Sequence, residues 1–370
     1  MTPRPRVRDL TQRTRPLTPE VDGGSIHELL LVMWLVFDSG EYHGDHDLGA
    51  EWFRGMLEAT PADLREEIEF LGTREFGAWC ALRGLVARAP VAHDIDSVLD
   101  WLAGLDPAEV RRGILSYAVE LPEGSALVEK AVDGDSEALE ALLDDRHDLA
   151  AFYTTLFALD RGELRDRIVA ALRRFREEVY RQVEDGFSSV ITRAAKGATI
   201  LAKGAEPERL IESVTNGLEY RIQPGVRRLV LVPSVIVRPW AVIDQHEDTL
   251  MVVFPVADEY LNADPDAPTP WMVKVYKALA DEKRLRILRR LGEGPSTLDE
   301  LAKVLDLSKS TVHHHVGLPR GAGLVRIVID KAAGIKTYSL RPSILPGAHQ
   351  ALDEYLGMDT TESVRSMRSV

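Results

Sequence analysis

The sequence predicts an α+β fold, mainly α with a small antiparallel β portion. Three observations lead there. Apolar residues recur at helical spacing, with capping signals, almost throughout residues 25–203. A run rich in Val, Ile and Leu, broken by short turns, follows between residues 218 and 256. After a Pro/Asp-rich stretch, three short amphipathic helices lead into two alternating strands near the C-terminus.

Residues 1–20 hold Arg4, Arg6, Arg8, Arg13 and Arg15 among Pro3, Pro5, Pro16 and Pro19, with little apolar content. That composition predicts a disordered basic tail, and a basic arm toward DNA phosphates is its functional alternative. A helical body is expected over 21–204. Ser25 and Glu28 have capping-box spacing before the apolar run Leu29–Phe37. Thr60-Pro61 and Asp106-Pro107 each pair an N-cap residue with proline at the first helical position. Helices are also expected at Phe76–Arg88, Ile95–Leu105, Ser125–Val132 and Ser136–Leu143. A long one from Glu163 to about Gln182 has Ile168, Leu172, Phe175 and Val179 on one stripe, a core face or an oligomer seam.

From Gly217 the pattern turns to strands at Leu218–Ile222, Arg228–Val232, Val235–Ile243 and Thr249–Val256. Their short turns predict an antiparallel β-meander subdomain over 205–261. Residues 262–270, NADPDAPTP, read as a linker. In the module expected over 271–345, Leu285, Leu288 and Leu291 share one helical face, and Gly292, Gly294 and Pro295 end that helix. Ser296 with Asp299 signals the next helix, where Leu298, Leu301, Ala302 and Leu305 align. Asp306-Leu307 turns tightly into a third helix capped by Ser308, with Val312, Val316 and Pro319 on one face and Lys309, Ser310, His313 and His314 on the other. Strands at Leu324–Ile329 and Lys336–Leu340 flank a hairpin. This order spells a winged helix-turn-helix, whose second helix of the pair enters the DNA major groove. Residues 346–370 are expected to form a terminal helix and tail.

ALADEKRLRIL, LSKSTVHHHV and AGLV, in that order, resemble the ArsR-type winged-helix regulators over about 70 of 370 residues. The run VLVPSVIVRPW followed by VVFPVAD is similar to a long upstream domain of unknown function found in some of them. The resemblance implies a regulator architecture and gives no ligand. Two departures stand out. Glu282 occupies a position where the family often has proline, harmless at a helix start. Pro319 stands where leucine is usual, and it predicts a recognition helix that ends or kinks near Leu318, loosened by Gly317 and Gly321.

Charge supports the module. The chain carries a formal charge of −14. Residues 271–341 hold 14 Lys and Arg against 7 Asp and Glu, whereas the remainder holds 31 against 52. A basic head on an acidic body docks on nucleic acid through one face. Cys80 is the single cysteine, which excludes a disulfide framework and points to a reducing, cytoplasmic setting. The N-terminus lacks a signal-peptide core, and the longest apolar run, Leu29–Phe37, is too short to span a bilayer.

The expected DNA-contacting set is Lys309, Ser310, His313 and His314 on base edges. Ser308, Thr311, Arg320, Lys331 and Lys336 would hold phosphates or the minor groove. Three adjacent histidines on a helix point about 100° apart and cannot converge on one metal ion, so His315 is expected to pack or cap. His349 and Asp353 are too few for a metal site. His43, Asp45, His46 and Asp47 form the densest group of potential ligands and read as a polar loop, Asp47 capping the next helix. Trp34, Trp52 and Trp79 are core residues by default, and the lining of an apolar ligand pocket is the alternative. No phosphate loop, G-x-S-x-G elbow, H-E-x-x-H or C-x-x-C occurs. No enzyme activity, cofactor or metal is therefore expected.

The sequence thus predicts a DNA-binding transcriptional regulator, a repressor acting as a homodimer on double-stranded DNA, with a possible small-molecule effector in the N-terminal body and no membrane partner. The alternative is a protein-interaction scaffold whose winged helix docks a protein or tethers only weakly to DNA.

Overall fold

The computed structural model describes residues 17–37, 40, 43–72, 78–119, 121, 125–144, 146–261, 267–330 and 334–358. The helical body runs α1 (Ser25–Val36), α2 (Gly49–Ala59), α3 (Ala62–Leu71), α4 (Ala78–Val86), α5 (Ile95–Gly104), α6 (Pro107–Ala118), α7 (Ala126–Val132), α8 (Ser136–Leu143), α9 (His147–Phe157), α10 (Arg161–Phe175), α11 (Arg181–Ala202) and α12 (Pro207–Val214). The chain is mainly helical with small sheets, an α+β fold. Among the described residues no helix is long and apolar enough to cross a membrane.

Local signals explain several starts. Asp106 caps α6, accepting from the Ala108 N–H at 2.9 Å, with Pro107 at the first position. Asp94, Ser125, Asp135 and Asp160 cap α5, α7, α8 and α10 in the same way. Two expected caps differ. Thr60 closes α2 instead, its hydroxyl donating to Met56 O at 2.9 Å, and α3 starts after Pro61. Ser25 and Glu28 form no capping box, because Glu28 is buried and spent on a distant loop. The helix expected over Glu163–Gln182 is longer. A π turn at Arg176–Tyr180 joins α10 to α11, keeping Phe175, Val179 and Tyr180 buried while the Arg176 guanidinium meets Glu184 at 2.8 Å.

The strands depart most from expectation. β1 (Pro19–Val21), β3 (Arg228–Ser234), β5 (Thr249–Pro255) and β4 (Val242–His246) form one sheet in the order β1-β3-β5-β4, with β2 (Leu218–Tyr220) elsewhere. β1 and β3 run parallel, as do β3 and β5, and only β4 is antiparallel to β5. The β-meander is thus corrected to a mixed sheet. Its cause is double-sided burial. Val230, Val232, Met251 and Val253 pack into the helical core that includes α1 and α4. Leu229, Leu231, Leu250, Val252 and Phe254 pack on the other face with Ala198, Leu210 and Ile211 of α11 and α12. Strands covered on both faces read as continuous apolar runs and suit parallel pairing. The strand expected at Val235–Ile243 is also corrected. Residues 235–241 leave the sheet as a loop containing Arg238-Pro239, and the strand occupies 242–246.

The last part contains α13 (Pro270–Leu279), α14 (Glu282–Glu293), α15 (Leu298–Leu305), α16 (Lys309–Gly321), β6 (Val325–Asp330), β7 (Ile335–Leu340) and α17 (Ile344–Tyr355). β2 pairs in parallel with β6, giving a sheet β2-β6-β7. The boundary drawn between a subdomain over 205–261 and the C-terminal module is therefore crossed by a strand. Leu218, together with part-buried Ala241 and Ile243, packs into the core of α14, α15 and α16. Arg326 of β6 ties the same edge to Glu212 and Glu219 at 2.7 and 2.8 Å.

Candidate nucleic-acid interface

The helix-turn-helix is built by α15 and α16. Ile287, Leu288 and Leu291 of α14, Leu301 of α15, and Val312 and Val316 of α16 close a common core. Leu285, expected on that face, is 47% exposed, and Ile287 takes its place. A capping box starts α15, one residue later than Ser296 and Asp299 suggested. Thr297 accepts from Glu300 N at 3.2 Å while the Glu300 carboxylate accepts from Thr297 N at 2.8 Å. Ser296 instead bridges to Tyr338 of β7. Asp306 turns the chain in the left-handed region, φ 53°. Ser308 caps α16, its hydroxyl accepting from Thr311 N at 3.1 Å.

Pro319 neither ends nor visibly shortens α16, which continues to Gly321. Proline in the last turn forfeits a single backbone bond, and Ala322 N still donates to Leu318 O at 2.9 Å. The expectation of a helix ending near Leu318 is therefore corrected.

Lys309, Ser310, His313 and His314 are exposed on one side of α16, with Val312, Val316 and Pro319 buried on the other. Lys309 Nζ stands 3.0 Å from Asp299 of α15, an exposed pair that phosphate could displace. Ser308 is exposed, and Thr311 is half-buried with its hydroxyl 2.7 Å from that of Ser308. His315 turns inward, Nδ1 3.7 Å from Asp281, and burial lowers its pKa. Lys336 is exposed on β7, 5.9 Å from the Tyr338 ring centroid, and partial burial lowers its pKa. Lys331 lies outside the described residues.

Arg320 does not join this set. Its guanidinium lies over the Trp240 ring, 5.0 Å from the centroid, so its charge is spent on a body residue. The structure thus places the expected phosphate contact Arg320 against Trp240. Arg320 belongs to a junction that sequence reasoning missed. A Cβ on Gly317 would stand 3.8 Å from the Trp240 ring, and one on Gly321 would stand 2.9 Å from Pro239 Cγ, so glycine at 321 lets α16 approach the loop so closely. Trp271 at the start of α13 donates its ring N–H to Ala322 O at 3.3 Å, and its backbone N–H to Asp258 at 2.5 Å. Arg238 pairs with Asp47 at 3.1 Å and with Asp258, and Lys274 of α13 also pairs with Asp47. Burial lowers the Lys274 pKa against the pull of Asp47.

The His43–Asp47 group disperses into this framework. The His43 ring stacks on Phe53 at 4.2 Å with Nε2 2.8 Å from Leu35 O, and His46 Nδ1 lies 3.0 Å from Ile236 O. Asp47 caps no helix, since it serves Arg238 and Lys274. Trp79 is buried and donates to Ile68 O at 3.2 Å, Trp52 stacks on Phe187, and Trp34 lies under Arg83. Two clefts open at the junction instead, of about 390 and about 520 Å³, lined by Trp271 and by Trp240 respectively. Both share Asp47, Arg238, Pro239, Lys274 and Gly321.

Residues 279–328, which span α14 to β6, match a helix-turn-helix domain family. Over 83 residues, 22% of this chain, the sequence is 35% identical to the HTH-type transcriptional regulator Rv2034 of Mycobacterium tuberculosis, 75% of which is covered. The chain belongs to the helix-turn-helix transcriptional regulators. Membership makes it a DNA-binding regulator through α15 and α16, and leaves the long helical body to be read from its own geometry.

Proposed function

We propose that this regulator is an ArsR-like repressor that binds a palindromic operator as a homodimer. The observation that carries the reading is the face of α16. Lys309, Ser310, His313 and His314 are exposed together at the helix N-terminal half, where a recognition helix meets base edges. Ser308 and Thr311 flank that face and would hold backbone phosphates, and Lys336 on β7 and Lys331 would add to them from the wing. Dimerisation would place two such helices about 34 Å apart, one DNA turn. Apolar Leu345, Tyr355, Leu356 and Met358, on and just after α17, are 39 to 57% exposed and offer a second copy an area to cover. An effector would act from the two clefts between body and module. Their shared walls include Asp47 and Lys274, so a ligand that competes for either would shift α13 and with it α16.

Titrating the full chain against DNA upstream of its own coding sequence, by mobility shift and anisotropy, tests the reading. Expected are sequence preference over random duplex and a logarithm of affinity falling linearly with log salt. Lys309→Ala should lower the salt slope by about one, and His313→Ala should relax base preference at a cost of about 1–3 kcal/mol. Unchanged affinity in the double variant refutes the groove assignment. Loss of both sequence preference and salt dependence in the wild type would favour a protein-docking winged helix.

A further inference from the structure

The body holds a cluster that the DNA-facing module does not use. Asp22 follows β1, His27 lies in the first turn of α1, and His93 precedes the Asp94 cap of α5. His27 Nε2 is 2.7 Å from Asp22 Oδ2, and His93 Nδ1 approaches the same oxygen. One ligand atom from each residue lies within 4.8 Å of the others.

Hydrogen bonding around the cluster decides which lone pairs point into it. His93 Nε2 is 3.2 Å from Ala89 O. A carbonyl oxygen only accepts, so Nε2 carries hydrogen and the neutral ring presents its Nδ1 lone pair to the Asp22 carboxylate. A lone pair facing an anionic oxygen is repulsive unless positive charge stands between them. That charge is either a second proton on His93 or a metal ion. A ring N–H held by a backbone carbonyl is the usual support of a metal-ligating histidine. Asp22 Oδ1 is similarly occupied, accepting from Gly24 N at 3.0 Å, which leaves Oδ2 to the cluster. His27 Nδ1 is buried without a hydrogen-bond partner, so without an ion the ring hydrogen sits on Nε2 facing Asp22 Oδ2 at 2.7 Å, and ligation by Nε2 displaces that hydrogen. A solvent-open hollow of about 520 Å³, bordered by Ser25, Ser188 and Thr192, adjoins Asp22 and His93 and has room for water.

We propose that Asp22, His27 and His93 form a binding site for one divalent transition-metal ion of the zinc type. Two imidazole nitrogens and one carboxylate oxygen suit Zn²⁺, Co²⁺ or Ni²⁺ better than Mg²⁺ or Ca²⁺, which take oxygen shells. Water from the hollow completes the coordination. Ligand atoms in a tetrahedral zinc site stand about 3.3 Å apart, so Asp22 backs away from His27 by roughly half an ångström on loading. The ion would fasten the β1–α1 junction to the segment before α5.

The test uses the full-length, tag-free, metal-stripped chain titrated with Co²⁺ and followed by its visible absorption, with Zn²⁺ as competitor. Expected are one equivalent bound per chain, displacement by Zn²⁺, and a Zn²⁺-dependent rise in Tm. His93→Gln and Asp22→Asn should each weaken binding by more than the roughly hundredfold that an outer-shell change alone can cost. His27→Gln should do the same, but His27 is buried, so His93→Gln is the deciding variant and a circular dichroism melt verifies its folding. Exposed His349→Gln should change nothing. Absence of a one-equivalent site, or binding untouched by His93→Gln, overturns the proposal. So does a proton on His93 Nδ1, read from its ¹⁵N shift with Zn²⁺ present, which would leave the cluster an imidazolium–carboxylate pair.

Discussion

Replacing Glu28 with glutamine should make the protein more stable at alkaline pH and leave it nearly unchanged in acid. Glu28 sits on α1 at 1% exposure. One carboxyl oxygen accepts from Val235 N at 3.0 Å and Ile236 N at 2.8 Å, while Oε2 has no hydrogen-bond partner. Burial dominates and pushes its pKa up from 4.5 to about 7, against the opposing pull of the Ser234 hydroxyl and of those two N–H donors. Because the folded value exceeds the unfolded one, the favourable contribution is full below about pH 4.5 and is lost as pH rises through about 7. At about 1.4 kcal/mol per pH unit, the gap between the two values amounts to on the order of 3 kcal/mol. Glutamine keeps the oxygen that accepts from Val235 and Ile236 and cannot ionise. The stability difference between variant and wild type, measured by urea denaturation, should therefore widen in favour of the variant by about 2–3 kcal/mol from pH 5 to pH 8. Taking the difference cancels other titrating groups. A gap that stays flat across that range, or a variant that is less stable throughout, refutes the reasoning.

Two further outcomes follow from buried groups. Cys80 is 2% exposed and burial raises its thiol pKa to about 11, so a native protein should react with a disulfide reagent at pH 8 only after denaturant is added; rapid native labelling would refute this. Arg238→Met leaves Asp47 and Asp258 without the guanidinium between them, and urea denaturation should record a loss of about 3 kcal/mol or more; a loss below about 1 kcal/mol would show that the pair is exchanged for water at little cost.

The division between what the sequence disclosed and what it concealed follows contact range. The helix-turn-helix was legible because its determinants are local. Ser308 caps through a bond to Thr311, and the buried face repeats Val312 and Val316 four apart. Asp106-Pro107 was legible for the same reason. Glu28 looked like a capping residue because Ser25 stands three residues before it, yet its partners lie 207 and 208 positions away. Arg238 and Asp47, 191 apart, carried no mark of each other. Parallel pairing of β3 with β5 was hidden because the apolar run that both-faced burial demands is equally compatible with a meander. Arg320 shows the limit at the candidate site. Its type and position suited phosphate, and only the placement of Trp240 reveals the competing ring.

Those distant contacts converge on one place. Glu28 holds the first residues of the loop 235–241, and that loop carries Arg238, Pro239 and Trp240. Arg238 gathers Asp47 and Asp258, Pro239 abuts Gly321, and Trp240 lies beneath Arg320. Meanwhile β2 supplies the edge on which β6 forms. The orientation of α16 is thus referred to the body at its C-terminal end and to the sheet behind it. A module free on a linker could adapt two recognition helices to one operator regardless of the body. A module wedged this way cannot, because an interface packed as closely as Gly321 on Pro239 yields by discrete rearrangement rather than gradual bending. In the proposed dimer, displacement of the loop 235–241 would therefore change the spacing between recognition helices. On that proposal, control of DNA binding would lie in the contacts of that loop, which both adjoining clefts border through Arg238 and Pro239.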